Sequence, residues 1–379
     1  MREDCEQREG AARGLIDSIP DGAGGAMAAL QHAPSLSGCY DRCASVSLVR
    51  RMRASPSLLD ATNTVSIGDA QAVAEATDRI LVQCFGDRSF DRELLHASFT
   101  LVGHLFAGER AGYLACDMPY HDLRHSLDTA LVTARLIAGY QREQRDSLGA
   151  FTPEHGLLGI LLGLLHDTGF IRKTSEAMLC GPQLMSEHES RSVEFARNYL
   201  ETTSLAKHAA LAQLILATRL GSDLNQLFAG YEGPAVTLGQ MLGSADLLSQ
   251  ISDRWYLERC FYHLYPEMVL AGCDRVRSPD GREQLLYCDG FDLLSKTPWF
   301  YENIVRKRLT QDFQQVDRHL AVHFGGADPY AEAIHGNLDR CARMVAKGPL
   351  GLLQREPITT TRNVAAIYHA RPPSQTPVR

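Results

Sequence analysis

The sequence predicts an all-α protein, and three observations carry that reading. From Ile67 onward apolar residues recur at three- and four-residue spacing in one segment after another, alternating period-two runs are almost absent, and the segments are separated by short turns rich in Gly, Pro and Asp. Helices are expected over 68–84, 90–108, 120–141, 154–167, 186–201, 204–219, 235–252, 254–264, 298–324 and 328–347. The stretch "GREQLLYCDGFDLL" at 281–294 breaks the pattern and reads as a loop or a short hairpin. Residues 1–65, rich in Gly, Ala, Ser and Arg without a sustained period, read as a flexible N-terminal segment. Residues 66–347 form the helical domain, and 348–379, polar with three late prolines, read as a flexible C-terminal tail.

Composition narrows the function. The chain has 379 residues, 45% hydrophobic and 22% charged, enough for an ordinary buried core. A formal charge of −7 gives no basic field for a phosphate backbone, so no nucleic-acid partner is expected. Small anionic substrates stay admissible if a metal supplies local positive charge. The ten cysteines are scattered, and Cys39 and Cys43 have no second pair to complete a zinc knuckle, so they read as reduced thiols. The N-terminus "MREDCEQREG" lacks an apolar signal core, and the most apolar run, "GLLGILLGLL" at 156–165, is too short to cross a bilayer. A cytoplasmic protein with no membrane partner is expected.

Three helices carry residues that a plain core does not need. In "YHDLRHSLDT", Tyr120 to Thr129, His121, His125 and Asp128 fall on one face by fours and threes, while Leu127, Ala130, Leu131, Ala134 and Ile137 repeat at core spacing. The polar face of this amphipathic helix is either simply wet or part of a site. The segment "GLLGILLGLLHDTGF" is apolar all round, which marks a helix inside a bundle, and His166 and Asp167 emerge at its end. A buried Asp beside a buried His is costly unless paired or coordinated, and a cation is the economical partner. In "MLGSADLLSQ", Asp246 interrupts the core stripe of Leu238, Met241, Leu242, Ala245 and Leu248, and Gly243 leaves room for something to approach. Capping a broken helix or pairing with Arg254 would be the ordinary role for that Asp.

In this order, His121 and His125, then His166-Asp167, then Asp246, the chain resembles the HD superfamily of metal-dependent phosphohydrolases. "YHDLRHSLDT" looks like the Y-H-N-x-x-H-A-x-D signature of cyclic-nucleotide phosphodiesterase catalytic domains, "LILATRLGSDL" resembles their I-L-A-T-D helix, and "LGSADLL" resembles their C-A-D-L segment. The similarity spans roughly residues 76–325. It implies a multi-helix bundle with a metal site between helices. It places His125, His166, Asp167 and Asp246 as ligands of a tightly held metal, Asp167 as the carboxylate bridging to a second, and His121 as the proton donor. It further implies divalent cofactors, zinc, iron or manganese at the tight site and magnesium or manganese at the second. Two imidazoles and two carboxylates suit such ions, and a histidine can protonate a leaving alkoxide.

The departures are equally specific. The family's H-D-x-D-H is "HDTGF" here, its signature Asn is Asp122, and the Asp of I-L-A-T-D is Arg219. "HDTGF" looks like bacterial members of the wider superfamily, in which a downstream "EH" often belongs to the site. His188 is therefore a candidate for the second metal or for supporting its ligands, its alternative being a surface histidine on an amphipathic helix. His208 is a further candidate, or an exposed imidazole at a helix start. Trp299, Phe300 and Tyr301 are either a pocket wall or core. The expected activity is cleavage of a small nucleotide-like phosphate ester by a phosphodiesterase. The alternatives are a phosphomonoesterase or nucleotide triphosphohydrolase on the same site, or a degenerate domain that binds metal or ligand without turnover.

Overall fold

A computed structural model of the chain describes residues 58–347, apart from 145–149, 232, 279 and 280, together with Leu353. The expectations for 1–57 and for the C-terminal tail, Leu353 aside, lie outside the described residues. The described chain is mostly helical, with twelve α-helices against one two-stranded hairpin. In chain order the helices are α1 (Ala70–Phe85), α2 (Arg92–Ala107), α3 (Leu123–Glu143), α4 (Pro153–Leu165), α5 (His188–Leu200), α6 (Leu224–Phe228) and α7 (Pro234–Ser252). They continue as α8 (Tyr256–Arg259), α9 (Tyr265–Ala271), α10 (Gly290–Phe300), α11 (His319–His323) and α12 (Pro329–Lys347). No described helix is long and apolar enough to cross a membrane, and the seven described cysteines are free thiols.

The centre of the fold is α3. Of the two readings of its polar face the wet one is excluded, because Arg124 to Gly139 are all buried. Helices α1, α4, α7 and α11 pack around it, so its polar residues are enclosed by protein on every side. Beside it, α4 is buried from Gly156 through Leu165, as an all-round apolar segment requires. Arg135 of α3 pairs with the buried Asp60 at 2.7 Å, and the Asp60 carboxylate also accepts from the backbone of Thr64 and Val65 at 2.8 Å each. Residues 58–65 therefore belong to the folded body and not to the N-terminal segment in which the sequence reading placed them. A lone Asp in a polar stretch gives no hint that its partner lies 75 residues away.

Several boundaries shift for identifiable reasons. The segment expected as helix 204–219 is a 3-10 helix, Ala206–Thr218, and its buried residues Ala209, Ala212, Ile215 and Thr218 recur every third position, the period of that tighter helix. The helix expected to stop at 264 runs on to Ala271 through a widened π-type turn at Cys260–Leu264, where the Tyr265 N–H reaches back to the Cys260 carbonyl just before Pro266, which has none. The stretch 281–294 is divided: Glu283–Leu285 pairs antiparallel with Arg275–Arg277, and Asp289 caps α10 through the backbone N–H groups of Phe291 and Asp292. The single helix expected over 298–324 is broken into π-type turns at Tyr301–Val305 and Arg308–Asp312 and a reversal where Gln314 and Gln315 take positive φ. Trp299, Phe300 and Tyr301 pack partly buried against the core.

Two helices come unusually close where α3 meets α11. A Cβ at Gly139 would collide with the carbonyl oxygen of His319, whereas one at Gly336 of α12 would meet nothing within 4 Å. Gly139→Ala should therefore destabilise the protein by about 1–3 kcal/mol in denaturant titrations despite alanine's better helix propensity. Gly336→Ala should stabilise it by up to about 1 kcal/mol. Equal responses would show that the α3–α11 contact is not tight.

Candidate metal centre

Three buried helix positions converge at the end of α4. Asp122 is the N-cap of α3, with an extended backbone and a side chain that accepts from the His125 N–H at 3.3 Å, and this fixes His125 in the first turn. His166 follows the last residue of α4 and donates from Nδ1 to the Gly163 carbonyl at 2.8 Å. That bond turns its Nε2 toward Nε2 of His125, 3.2 Å away. Asp246 stands in the middle of an unbroken α7 and places Oδ1 3.1 Å from His125 Nε2 and 3.5 Å from His166 Nε2. It neither caps a broken helix nor pairs with Arg254, which instead reaches the Asp60 carbonyl and Asn63. Gly243, one turn earlier, admits the Phe313 ring and the Ala217 carbonyl, so the close approach is by the protein itself. His125, His166 and Asp246 thus form a buried group that could hold a metal ion.

Asp167 completes the set. Its Oδ2 lies 3.3 Å from His166 Nε2 and 3.5 Å from His125 Nε2, is buried, and has no hydrogen-bond partner among the described residues. A buried carboxylate oxygen without a donor is expensive. A cation about 2.0–2.2 Å from each donor atom would set neighbouring donors about 3.0–3.5 Å apart, so the observed edges fit one. Electrostatics point the same way. Burial opposes a charge on His166, yet Asp167 and Asp246 overcome it and raise its pKa well above the ordinary imidazole value. The same contacts, against the same burial, hold both carboxyls far below their ordinary range. The cluster calls for positive charge beside its two carboxylates.

His121 is not on the helix. It precedes the Asp122 cap, so the expected span 120–141 begins three residues late, and His121 sits in a turn with its ring centroid 6.0 Å from that of His125. Glu267 of α9, fully buried, holds it there: one carboxylate oxygen accepts from His121 Nδ1 at 2.6 Å, the other from the Tyr120 N–H at 2.5 Å and the His121 N–H at 3.3 Å. Burial alone would lower the His121 pKa, but Glu267, aided by Asp167 and Asp246, leaves it raised. Sequence reasoning missed Glu267. Its one signal was a lone carboxylate among Pro266, Met268, Val269 and Leu270.

The structure brings His188 into the same cluster. Its Nδ1 donates to the Met185 carbonyl at 2.6 Å, leaving Nε2 facing Asp167 Oδ1 at 3.7 Å. Its ring stacks on Phe170 at 4.0 Å, and Phe170 lies 4.9 Å from the His121 ring. Burial lowers the His188 pKa, so a neutral acceptor nitrogen faces a carboxylate. The segment Thr168-Gly169-Phe170 makes this possible: a Cβ at Gly169 would run into the His188 carbonyl, and the Gly169 N–H donates to Ser192 Oγ at 2.8 Å. Arg219 bonds Ser190 Oγ at 2.9 Å and Glu189 at 3.3 Å beside His188. His208 belongs elsewhere, paired with Glu154 at 3.1 Å. Asp128 is not among the grouped residues and lines a small cavity that His125 also lines.

Neither a protein-family model nor a curated protein matches the chain.

Two measurements test the centre. Elemental analysis should find metal in the wild-type protein and little in His166→Ala or Asp246→Ala; full retention in both variants would exclude the site. Bound metal should also decline as pH falls, because His125 and His166 must be neutral to act as ligands. Separately, Glu267→Gln should lower the His121 pKa in an NMR titration. A raised folded-state pKa means that the pair's stabilisation is complete below about 6.5 and fades as pH rises through the folded value, so the stability gap between wild type and variant should narrow in that direction. An unmoved His121 titration would show that Glu267 does not govern it.

Proposed function

We propose that the protein is a metal-dependent phosphohydrolase, a phosphodiesterase acting on a small nucleotide-like phosphate ester. The observation that carries this is the separation of roles within one buried cluster. The imidazoles of His125 and His166 and the carboxylate of Asp246 converge with the undonated Oδ2 of Asp167 beside them, while His121 stands next to the group, oriented by its own carboxylate. His125, His166, Asp167 and Asp246 would hold the tighter divalent ion, for which zinc, iron and manganese suit mixed nitrogen and oxygen donors. Asp167 turns Oδ2 to that set and Oδ1 to His188, as a carboxylate shared with a second ion, magnesium or manganese, would. When bound, divalent ions supply Lewis acidity and neutralise phosphoryl charge.

The chain's own residues supply the proton chemistry. Glu267 fixes the Nδ1–H tautomer of His121, so Nε2 is the atom free to exchange a proton with substrate. The raised pKa keeps that proton in place near neutrality, which suits a general acid for a departing alkoxide. Phe170, fully buried between His121 and His188, keeps water from solvating both imidazoles at once.

Incubation of metal-loaded protein with cyclic nucleotides and generic phosphodiesters, followed by product analysis, tests the reading. A diesterase leaves a monoester, a phosphomonoesterase releases inorganic phosphate, and a triphosphohydrolase needs a triphosphate. Metal binding with no turnover of any of these would leave only a ligand-binding domain. His121→Ala should keep its metal yet lose about 100-fold or more on alkyl esters, with far less loss on a nitrophenyl ester whose phenolate leaves unaided. Loss of metal in that variant, or wild-type rates on both esters, would remove His121 from its role.

A further inference from the structure

Beside His125 lies a cavity of about 10 Å³, room for one water-sized body. Its lining includes His125, Arg124, Asp128, Asp253 and Arg259. Arg124 and Arg259 are 2% and 3% exposed, and Asp253 lies against both: Arg124 Nη2 bonds one of its oxygens at 2.6 Å, and Arg259 Nε lies 3.4 Å from the other. Arg259 Nη2 is taken by the Tyr120 carbonyl and by Asp122. What remains is Nε and Nη1 of Arg124 and Nη1 of Arg259, all buried and without a partner, together with Oδ1 of Asp128. His125 adds one more group. Its Nε2 faces the cluster, and its Nδ1 has no protein hydrogen-bond partner among the described residues.

Buried N–H groups left unmade cost about 1–3 kcal/mol each, more when charged, so several around one small void need an explanation. A water molecule offers two lone pairs, too few for the N–H groups of two guanidinium edges and an imidazole. A monatomic anion accepts from all of them. We propose that this cavity binds a single halide ion, chloride by abundance, which bridges Arg124 and Arg259 to Nδ1 of His125. A metal-ligating histidine commonly donates its other ring nitrogen to a carboxylate, a carbonyl or water, and here the anion takes that place. Asp128 is compatible with this, because burial, with Asp253 and Asp60 nearby, pushes its carboxyl up to about 8 and makes it a neutral donor at lower pH. The anion site rests on the geometry of the cavity alone; its link to metal affinity rests on the metal reading above.

Crystals of the metal-loaded protein grown in bromide should show an anomalous peak between Arg124 and Arg259. A water or an empty cavity there overturns the proposal. In solution, replacing isethionate, too large to enter, by chloride at constant ionic strength should raise the melting midpoint by about 2–4 °C once chloride is well above its Kd. Arg124→Lys removes two of the unpartnered nitrogens and should abolish that response; a wild-type response in this variant overturns the proposal, and if the variant does not fold, the bromide map of the wild type decides. Metal affinity should fall several-fold in isethionate if the anion holds His125. Halide in a protein that holds no metal would leave the anion site standing and remove the phosphohydrolase reading, whereas metal without halide would remove the anion site alone.

Discussion

The fold is organised around an electrostatic deficit: two imidazoles, His125 and His166, and two carboxylates, Asp167 and Asp246, meet in the interior with only the neutral Gln250 amide donating to Asp246 Oδ1 and nothing donating to Asp167 Oδ2 among the described residues. Nothing in a low-dielectric core tolerates that arrangement unless positive charge is delivered to it. The surrounding elements can be understood as what is required to keep those atoms together and dry. Helix α4 is apolar and buried all round from Gly156 through Leu165, and His166 and Asp167 follow directly at its buried end. Helix α3 is sunk to the middle of the bundle, which removes the solvent that would otherwise hydrate His125. Gly243 lets α7 lie against Ala217 and Phe313, setting the depth at which Asp246 meets the imidazoles.

How much of this was legible in the sequence follows from which interactions are local. The all-round burial of α4 and the anomaly of Asp246 are properties of spacing along one segment, and both could be read. So could the His and Asp residues that the structure brings together at the end of α4. Spacing does not report contacts between distant segments, and there the reading failed: α3 looked amphipathic because its polar residues have partners far along the chain, such as Asp60 for Arg135 and Asp253 for Arg124. Glu267 was missed for the same reason, since its partners lie 146 and 147 residues away. The break-up of 298–324 was hidden differently. Its apolar spacing continues through two widened turns, and Gln314 and Gln315, neither a usual residue for positive φ, give no stop signal.

The residues at which this chain departs from the phosphodiesterase pattern have structural work of their own. Gly169 is small because the backbone of His188 passes over it, and Phe170 is aromatic because it lies flat against the His188 ring. Together they place an imidazole where Asp167 presents its outer oxygen. Arg219, standing where an Asp is expected, ties Glu189 and Ser190 at the start of the same helix. The changes are correlated, since each contributes to holding α5 against the cluster.

The three residues that first mark the site, His121, His125 and Asp128, show how one short stretch is divided among separate environments. Asp122 begins the helix one residue after His121, which releases that histidine from helical geometry and lets Glu267 orient it. His125, inside the first turn, is held rigidly enough to serve as a ligand. Asp128, one turn further, lines a small cavity together with the guanidiniums of Arg124 and Arg259. Burying so many charges would be a poor way to stabilise a fold, because desolvation consumes most of what pairing returns. It is a good way to fix a geometry, because each charged group has few positions in which its partners are all satisfied, and His125 sits between the cluster and that network.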